Sequence, residues 1–269
     1  MEITGYLAAV LIGISLGLIG GGGSALALPV LVYLFHIPAQ KAVPDSLFIV
    51  GLSSFTGALS YLYRRLICFR SVLVFGIPSI LSVYFTRNRL AQAIPQELVF
   101  PGNHVISKDV FLLVIFAFLM LAASISMIRP LKQDAAPDPS DEKSNYPYIQ
   151  MILSGLCVGF LAGLVGAGGG FLIIPALVVL VRLPMKTAIG TSLLIIAINS
   201  GIGFYGSLPG MESGNWPFLL SFSGMAILGI FIGMLLSRFI SGTTLKPAFG
   251  WFILIVGSFI ILQQVTQMH

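Results

Sequence analysis

The sequence predicts an all-α polytopic membrane protein. It is built from two inverted repeats, each with a glycine-broken helical segment, re-entrant or paired, plus three transmembrane helices. Three observations carry this expectation. Hydrophobic residues make up 57% of the 269 residues and charged residues 9%, against roughly 25% charged in soluble domains; the mean hydropathy is +1.01. Apolar runs of about 17–25 residues recur from end to end, the length that crosses a bilayer core as a helix. The strict alternation of a transmembrane β-barrel is not seen. Finally, the chain repeats itself. At a constant offset of 146, residues 13–47 align without a gap on residues 159–193, with 15 of 35 positions identical. The matches include Gly13, Gly17, Gly20, Gly22, Gly23, Pro29, Pro38, Ser46 and Leu47. A duplicated, glycine-broken apolar segment points to a carrier built from two repeats, with its site where the breaks meet.

Eight apolar segments follow in order: about 3–35, 44–62, 70–86, 110–128, 149–181, 188–206, 216–238 and 246–264. They form two groups of four. The expected organisation is a first transmembrane repeat over 1–128, a cytoplasmic linker over 129–148 and a second repeat over 149–269, the repeats forming one integrated transmembrane domain. The linker holds four of the nine acidic residues and four prolines, a composition that solvates rather than packs.

The first segment of each group is too long for one crossing. A 33-residue helix reaches about 50 Å, against about 30 Å of hydrocarbon. Each is also interrupted by its glycine run and then by Pro29 or Pro175, and adjacent glycines weaken a helix by about 1 kcal/mol each. The charges favour a segment that enters and leaves on one side. That arrangement puts 10 Lys and Arg inside and 4 outside, whereas a single crossing gives 6 and 8. The positive-inside rule selects the first. Each group then has an odd number of crossings, which makes the repeats antiparallel and puts both chain ends outside. Met1-Glu2-Ile3-Thr4 has no basic n-region, so a cleaved signal is not expected.

The net charge of +5 does not indicate a nucleic-acid partner, because the basic residues are scattered at segment ends. Cys68 and Cys157 imply neither a disulfide framework nor a metal site, and Cys157 reads as a small packing residue.

The glycine runs carry the most chemistry. A helix broken within lipid frees backbone N–H groups that must be buried in protein or line a wet cavity. At the start of a following half-helix they form an anion site, and the missing side chains let a ligand approach. The candidate binding residues are therefore Gly20, Gly21, Gly22, Gly23 and Ser24 in the first copy and Gly166, Gly168, Gly169 and Gly170 in the second. Gly13-xxx-Gly17 and Gly159-xxx-Gly163 are read as helix contacts. No GxxxxGK[ST] occurs, which excludes a P-loop.

A second paired element sets Asp45-Ser46-Leu47 against Thr191-Ser192-Leu193. Its hydroxyls either cap helix N-termini or bind ligand oxygens, which adds Ser46, Thr191 and Ser192 as candidates. Asn199 is a further candidate, and Ser53, Ser54 and Ser200 are polar positions along the same helices. Asp45 is an N-cap or the coupling carboxylate, with Lys41 or His36 near it in sequence. The scarcity of other carboxylates argues against a cation cage and for a neutral or anionic cargo. Arg182 and Lys186 are topology determinants or anion collectors. His36, His104 and His269 lie near segment ends or in loops, and no His-Glu-xx-His occurs, so an intramembrane enzyme is disfavoured.

These residues resemble the sulfite exporter TauE/SafE family of anion permeases. The resemblance rests on Gly-xxx-Gly-xx-Gly-x-Gly-Gly, a following proline and apolar helix, and an Ala-xx-Thr-Ser-Leu element, in two copies. The second copy, Gly159 through Pro175 and Ala188 to Leu193, matches closely. The first carries four consecutive glycines and places Asp45 where the family has threonine. The resemblance implies a multi-pass carrier of the bacterial inner membrane. It would export small sulfur-containing anions such as sulfite, thiosulfate, sulfoacetate and other organosulfonates by alternating access. It implies no ATP, bound metal or cofactor. Proton coupling and a homodimer stay open, as do an anion channel and a carrier of non-sulfur organic anions.

Overall fold

The computed structural model describes residues 2–90, 97–100, 104–128, 148–165, 170–208 and 216–267. Among them, α1 (Glu2–Ile19) leads through Gly20 and Gly21 to α2 (Gly22–Pro29), which continues as a wide π-type turn over Val30–Leu34. Next come α3 (Ala39–Tyr63) and α4 (Phe69–Phe85), the latter extended by a π-type turn over Thr86–Leu90. A small antiparallel hairpin, β1 (Glu97–Phe100) and β2 (His104–Ser107), precedes α5 (Lys108–Ile128). The second half holds α6 (Tyr148–Val165), α7 (Gly170–Pro175, continued by a π-type turn over Ala176–Leu180), α8 (Met185–Tyr205), α9 (Trp216–Phe239) and α10 (Gly242–Gln267). Among the described residues, α3, α5, α8, α9 and α10 are long and apolar enough to cross a membrane. The expected helical architecture is therefore present. The β-hairpin is an addition to it: Leu98-Val99-Phe100 and Val105-Ile106 are good strand formers on either side of Pro101-Gly102-Asn103. Tyr148, expected in the linker, opens α6 instead; residues 129–147 lie outside the described residues.

The glycine-broken segment of the first half is a hairpin. A Cβ on Gly23 would strike the Ile12 carbonyl and Leu16, and one on Gly5 would strike the Phe35 ring. So α2 runs back along α1 and ends beside its start. Pro29 and Pro175 explain the π-type turns. A proline within a helix lacks an N–H and crowds the carbonyl four residues back, and the chain widens to accommodate it. Phe35 then donates to the Val30 carbonyl at 3.4 Å, and Val181 to that of Ala176 at 3.2 Å. Both turns end on a left-handed residue, His36 (φ +54) and Arg182 (φ +60). These positions are 146 apart, so the sequence duplication is also a duplication of backbone geometry.

Helices pair across the halves: α1 with α9, α4 with α6, α3 with α8, and α5 with α10. Glycines set their directions. Gly13 lies against the Ala226 carbonyl and Gly17 against that of Ile230, so α1 and α9 run parallel. Gly155, Gly159 and Gly163 meet Phe75, Ser79 and Thr86 in turn, so α6 and α4 are also parallel. Gly51 meets Ser200, Gly57 meets Leu193 and Gly190 meets Tyr61, making α3 and α8 antiparallel. The reading of Gly13, Gly17, Gly159 and Gly163 as helix contacts matches this packing. Cys157 differs from its expected packing role. It is exposed on the outward face of α6 with Leu153 and Phe160, because Gly155 and Gly159 occupy the face turned to α4.

Not every glycine is a contact. A Cβ at Gly201 or Gly224 would meet nothing within 4 Å, so these two carry only the helix-weakening effect of glycine. Gly201→Ala and Gly224→Ala should each stabilise the protein by about 0.5–1 kcal/mol, read as a raised melting temperature in detergent.

Candidate functional site

The first glycine break is built by one left-handed residue. Gly20, at φ +79, ends α1 by donating to the Leu16 carbonyl at 2.7 Å and turns the chain into α2. The turn sits on α8: a Cβ at Gly20 would lie 2.8 Å from Ser192 Oγ and 3.0 Å from Ile174 Cδ1. Gly21 packs its backbone on the Gly170 carbonyl, and Gly170 in turn faces Ser24 Oγ and Ile196. The start of α2 therefore meets the start of α7. The first N–H groups of a helix have no intrahelical acceptor; Gly20 and Gly21 themselves donate to the Leu16 and Ile19 carbonyls, so the donors left at this junction are those of the residues that follow them. Gly22 makes only ordinary contacts, 3.5 Å from the Phe249 and Phe252 rings. Gly23 is held against α1. Of the candidates, Gly20, Gly21, Ser24, Gly170 and Ser192 are brought together; Gly166, Gly168 and Gly169 lie outside the described residues.

The hydroxyl candidates are buried but are not caps. α3 and α8 begin earlier than expected, after Pro38 and Pro184, because proline with extended ψ starts a helix directly. Asp45, Ser46, Thr191 and Ser192 thus sit in the second turn. Ser46 donates to the Val43 carbonyl at 2.8 Å, Ser192 to that of Ile189 at 2.9 Å, and Ser24 to that of Gly21 at 2.7 Å. Each hydroxyl proton is parked on its own backbone. Thr191 has a different job: its Oγ1 accepts the Cys68 N–H at 3.0 Å, pinning the α3–α4 loop to α8. Thr191→Val should lower the unfolding free energy by about 1–3 kcal/mol by leaving that N–H unpaired. Thr191→Ser should restore it in a thermal melt.

Asn199 is buried and donates from Nδ2 to Ser79 Oγ at 3.0 Å, while its Oδ1 has no partner. Ser79 was missed by sequence reasoning; the signal was a serine after Pro78 within an apolar helix. Tyr61 was also missed. Its buried OH donates to the Gly17 carbonyl at 3.4 Å and lies 3.4 Å from Ser237 Oγ, tying α3 to the hairpin and to α9. Asp45 is half-buried, one helical turn beyond Lys41. Among the described residues, no group of three His, Cys, Asp or Glu is placed to hold a metal. What the site offers is neutral: backbone N–H groups, hydroxyls and an amide.

Comparison with known proteins is consistent with this arrangement. The chain is similar to a "Probable membrane transporter protein" of Xylella fastidiosa (strain Temecula1), 27% identical over 260 residues, covering 93% of this chain and 91% of the relative. It is similar to the "Probable membrane transporter protein YunE" of Bacillus subtilis, 27% identical over 262 residues, with 92% and 93% covered. A "Probable membrane transporter protein" of Methanocaldococcus jannaschii is 29% identical over 195 residues, 71% of this chain and 66% of the relative. No solved structure matches. The family model for the sulfite exporter TauE/SafE matches residues 6–260. With the first glycine hairpin seated against the start of α7 and a match over nearly its whole length, the chain belongs to the sulfite exporter TauE/SafE family and is a multi-pass membrane transporter rather than an enzyme.

Proposed function

We propose that this chain is a secondary carrier that exports small sulfur-containing anions, such as sulfite, sulfoacetate or other organosulfonates, across the cell inner membrane. The observation that carries the reading is the apposition of Gly20 and Gly21 with Gly170 and Ser192. Helix starts that face one another hold negative oxygens without a cationic side chain. Ser24, Ser46, Thr191, Ser192 and Asn199 add neutral donors. The two halves act as inverted repeats, a reading supported by helix direction. α1 runs with α9, whereas its counterpart α6 runs with α4, and α3 opposes its counterpart α8. Alternating access then moves one set of helices against the other around the shared site. The basic residues of the α3–α4 loop, the linker and the α9–α10 turn face the cytoplasm.

Thermal stabilisation of the purified protein across sulfite, thiosulfate, sulfoacetate, taurine, sulfate and acetate tests the cargo class. A ligand at 100 times its Kd stabilises the folded state by about 2.7 kcal/mol. Selective stabilisation by a sulfonate supports the reading; no shift with any anion overturns it. Counterflow in proteoliposomes separates a carrier from a channel. Asp45 is the proposed coupling group, the acidic side chain at the rim of α3. Asp45→Asn should abolish flux driven by a pH gradient while leaving exchange at equal pH intact. Unchanged pH-driven flux would remove proton coupling through this residue.

A further inference from the structure

Contacts between the helices sort their ends onto two faces. Near its end α3 meets the start of α8, where Tyr61 lies against Gly190, and the end of α9, where the Tyr61 OH lies 3.4 Å from Ser237 Oγ. Gly242, opening α10, approaches Met185, opening α8. One face therefore gathers Arg64 and Arg65 of the α3–α4 loop, Arg182 and Lys186 flanking the start of α8, and Arg238 and Lys246 of the α9–α10 turn. Arg70, at the start of α4, joins them. Among the described residues this face carries no Asp or Glu. On the opposite face, Glu2, Asp45, Glu97 and Asp109 balance four Lys and Arg. The chain between α5 and α6, residues 129–147, adds three Lys and Arg and four Asp and Glu, which leaves the basic excess in place.

Lys and Arg gather on the cytoplasmic side of membrane proteins for topology alone. Two observations go beyond that. Arg65 and Arg182 sit in the left-handed region, at φ +56 and +60, a conformation that side chains disfavour. In the first copy of the duplication the matching turn is closed by His36, at φ +54, and Gln40 stands where the second copy has Lys186. The turn needs a left-handed residue but not a cation, and the copy on the basic face has the cations. The second observation is that the basic loop is docked beside the glycine junction. The Cys68 N–H donates to Thr191 Oγ1 at 3.0 Å and the Leu66 carbonyl lies against Gly190, the two residues before Ser192. Arg64 Cζ lies 5.8 Å from the Tyr61 ring centroid, and the Tyr61 OH reaches the Gly17 carbonyl, one turn before Gly20.

We infer that the basic face is an electrostatic collector: Arg65, Arg182 and Lys186 draw a small anion from the cytoplasm to the glycine junction, and the opposite face, where the charges cancel, does not. This rests on the carrier reading and deepens it by naming the residues that capture cargo. An entrance lined by one sign of charge raises association about 10–1000-fold at low salt, and screening shortens its reach to about 8 Å at about 0.15 M. Attraction grows with the charge of the ligand, so a dianion such as sulfoacetate gains more than a monoanionic sulfonate. The collector sets the capture rate on one side and leaves the equilibrium of transport to the gradients.

The test is tracer uptake by the full chain in everted and right-side-out membrane vesicles, above that of vesicles lacking it. The probes are sulfoacetate and ethanesulfonate, in salt raised from about 20 to about 300 mM. In everted vesicles, which present the cytoplasmic face, kcat/KM for sulfoacetate should fall about tenfold across this range, and that for ethanesulfonate less steeply. In right-side-out vesicles both should change by less than about twofold. Arg65→Gln and Arg182→Gln should each lower cytoplasmic capture at low salt about threefold, through KM rather than kcat. Arg182→Lys should retain capture. Arg182→Gly should lose it while keeping or raising the melting temperature, because glycine takes the left-handed turn without strain. A role in topology alone would change the orientation of the inserted chain and not its salt dependence. Salt dependence that is equal on both faces, or unaltered in both glutamine variants, overturns the collector while leaving the carrier reading intact. No uptake of either probe by the unsubstituted protein in either kind of vesicle overturns both.

Discussion

Gly21→Ala should abolish anion binding and flux and lower the melting temperature. The added methyl would land on the Gly170 carbonyl and within 3.0 Å of the Phe171 Cα. These are backbone atoms of α7 and do not rotate aside. Overpacking of this kind costs about 1–3 kcal/mol, and here the relief is separation of α2 from α7, the junction that holds the proposed site. Gly22→Ala is the matched comparison. Its Cβ meets two aromatic carbons at 3.5 Å and the Ser15 carbonyl oxygen at 3.6 Å, ordinary contact distances, and alanine favours the helix by about 1 kcal/mol. Flux should survive there. Tracer exchange with both variants decides the matter: equal loss would show that the run serves chain flexibility, while loss at Gly21 alone shows that it serves close apposition.

Gly17→Val should remove most of the folded protein, seen as loss of the monodisperse peak in detergent chromatography. Its Cβ would overlap the Ile230 carbonyl, and the reciprocal glycine, Gly233, packs on the Ile14 carbonyl beside Gly17. The two backbones are in contact along this seam. In lipid there is no water to expel, so helix association depends on such close packing. A branched side chain pushes the helices apart and forfeits it, at about 1–3 kcal/mol or more. Gly159→Val, facing the Ser79 carbonyl, should behave alike at the α4–α6 seam. Folded yield near that of the parent for both would mean that the α1–α9 and α4–α6 contacts are not what holds the bundle.

The helical plan was legible because its determinants are local. An apolar run long enough to cross a membrane, a proline that interrupts it and a glycine run that breaks it each act within a few residues. The offset of 146 exposed the duplication without any structure. The left-handed residues His36 and Arg182 then show that equal sequence produced equal backbone. The glycine contacts at 13, 17, 159 and 163 were also legible, since small residues four apart have one common use in lipid.

The roles of single polar groups were less legible. Asp45, Ser46, Thr191 and Ser192 read equally as caps or as ligand groups, and the helix starts at Ala39 and Met185 decided against caps. Thr191 turned out to hold the Cys68 N–H, 123 positions away in the chain. Asn199 found Ser79 across 120 positions, and Tyr61 found Ser237 across 176. No spacing rule reaches that far, because which hydroxyl meets which amide depends on how helices from the two halves cross. The sequence by itself determined a helical membrane bundle with two glycine breaks and a nearly charge-free interior. Tertiary structure alone decided that the first break is a hairpin, that Gly21 rests on Gly170, and that Ser53, Ser54 and Ser200 remain without partners. Hydrogen bonding and close packing are short-range, and only the folded chain sets which short ranges exist.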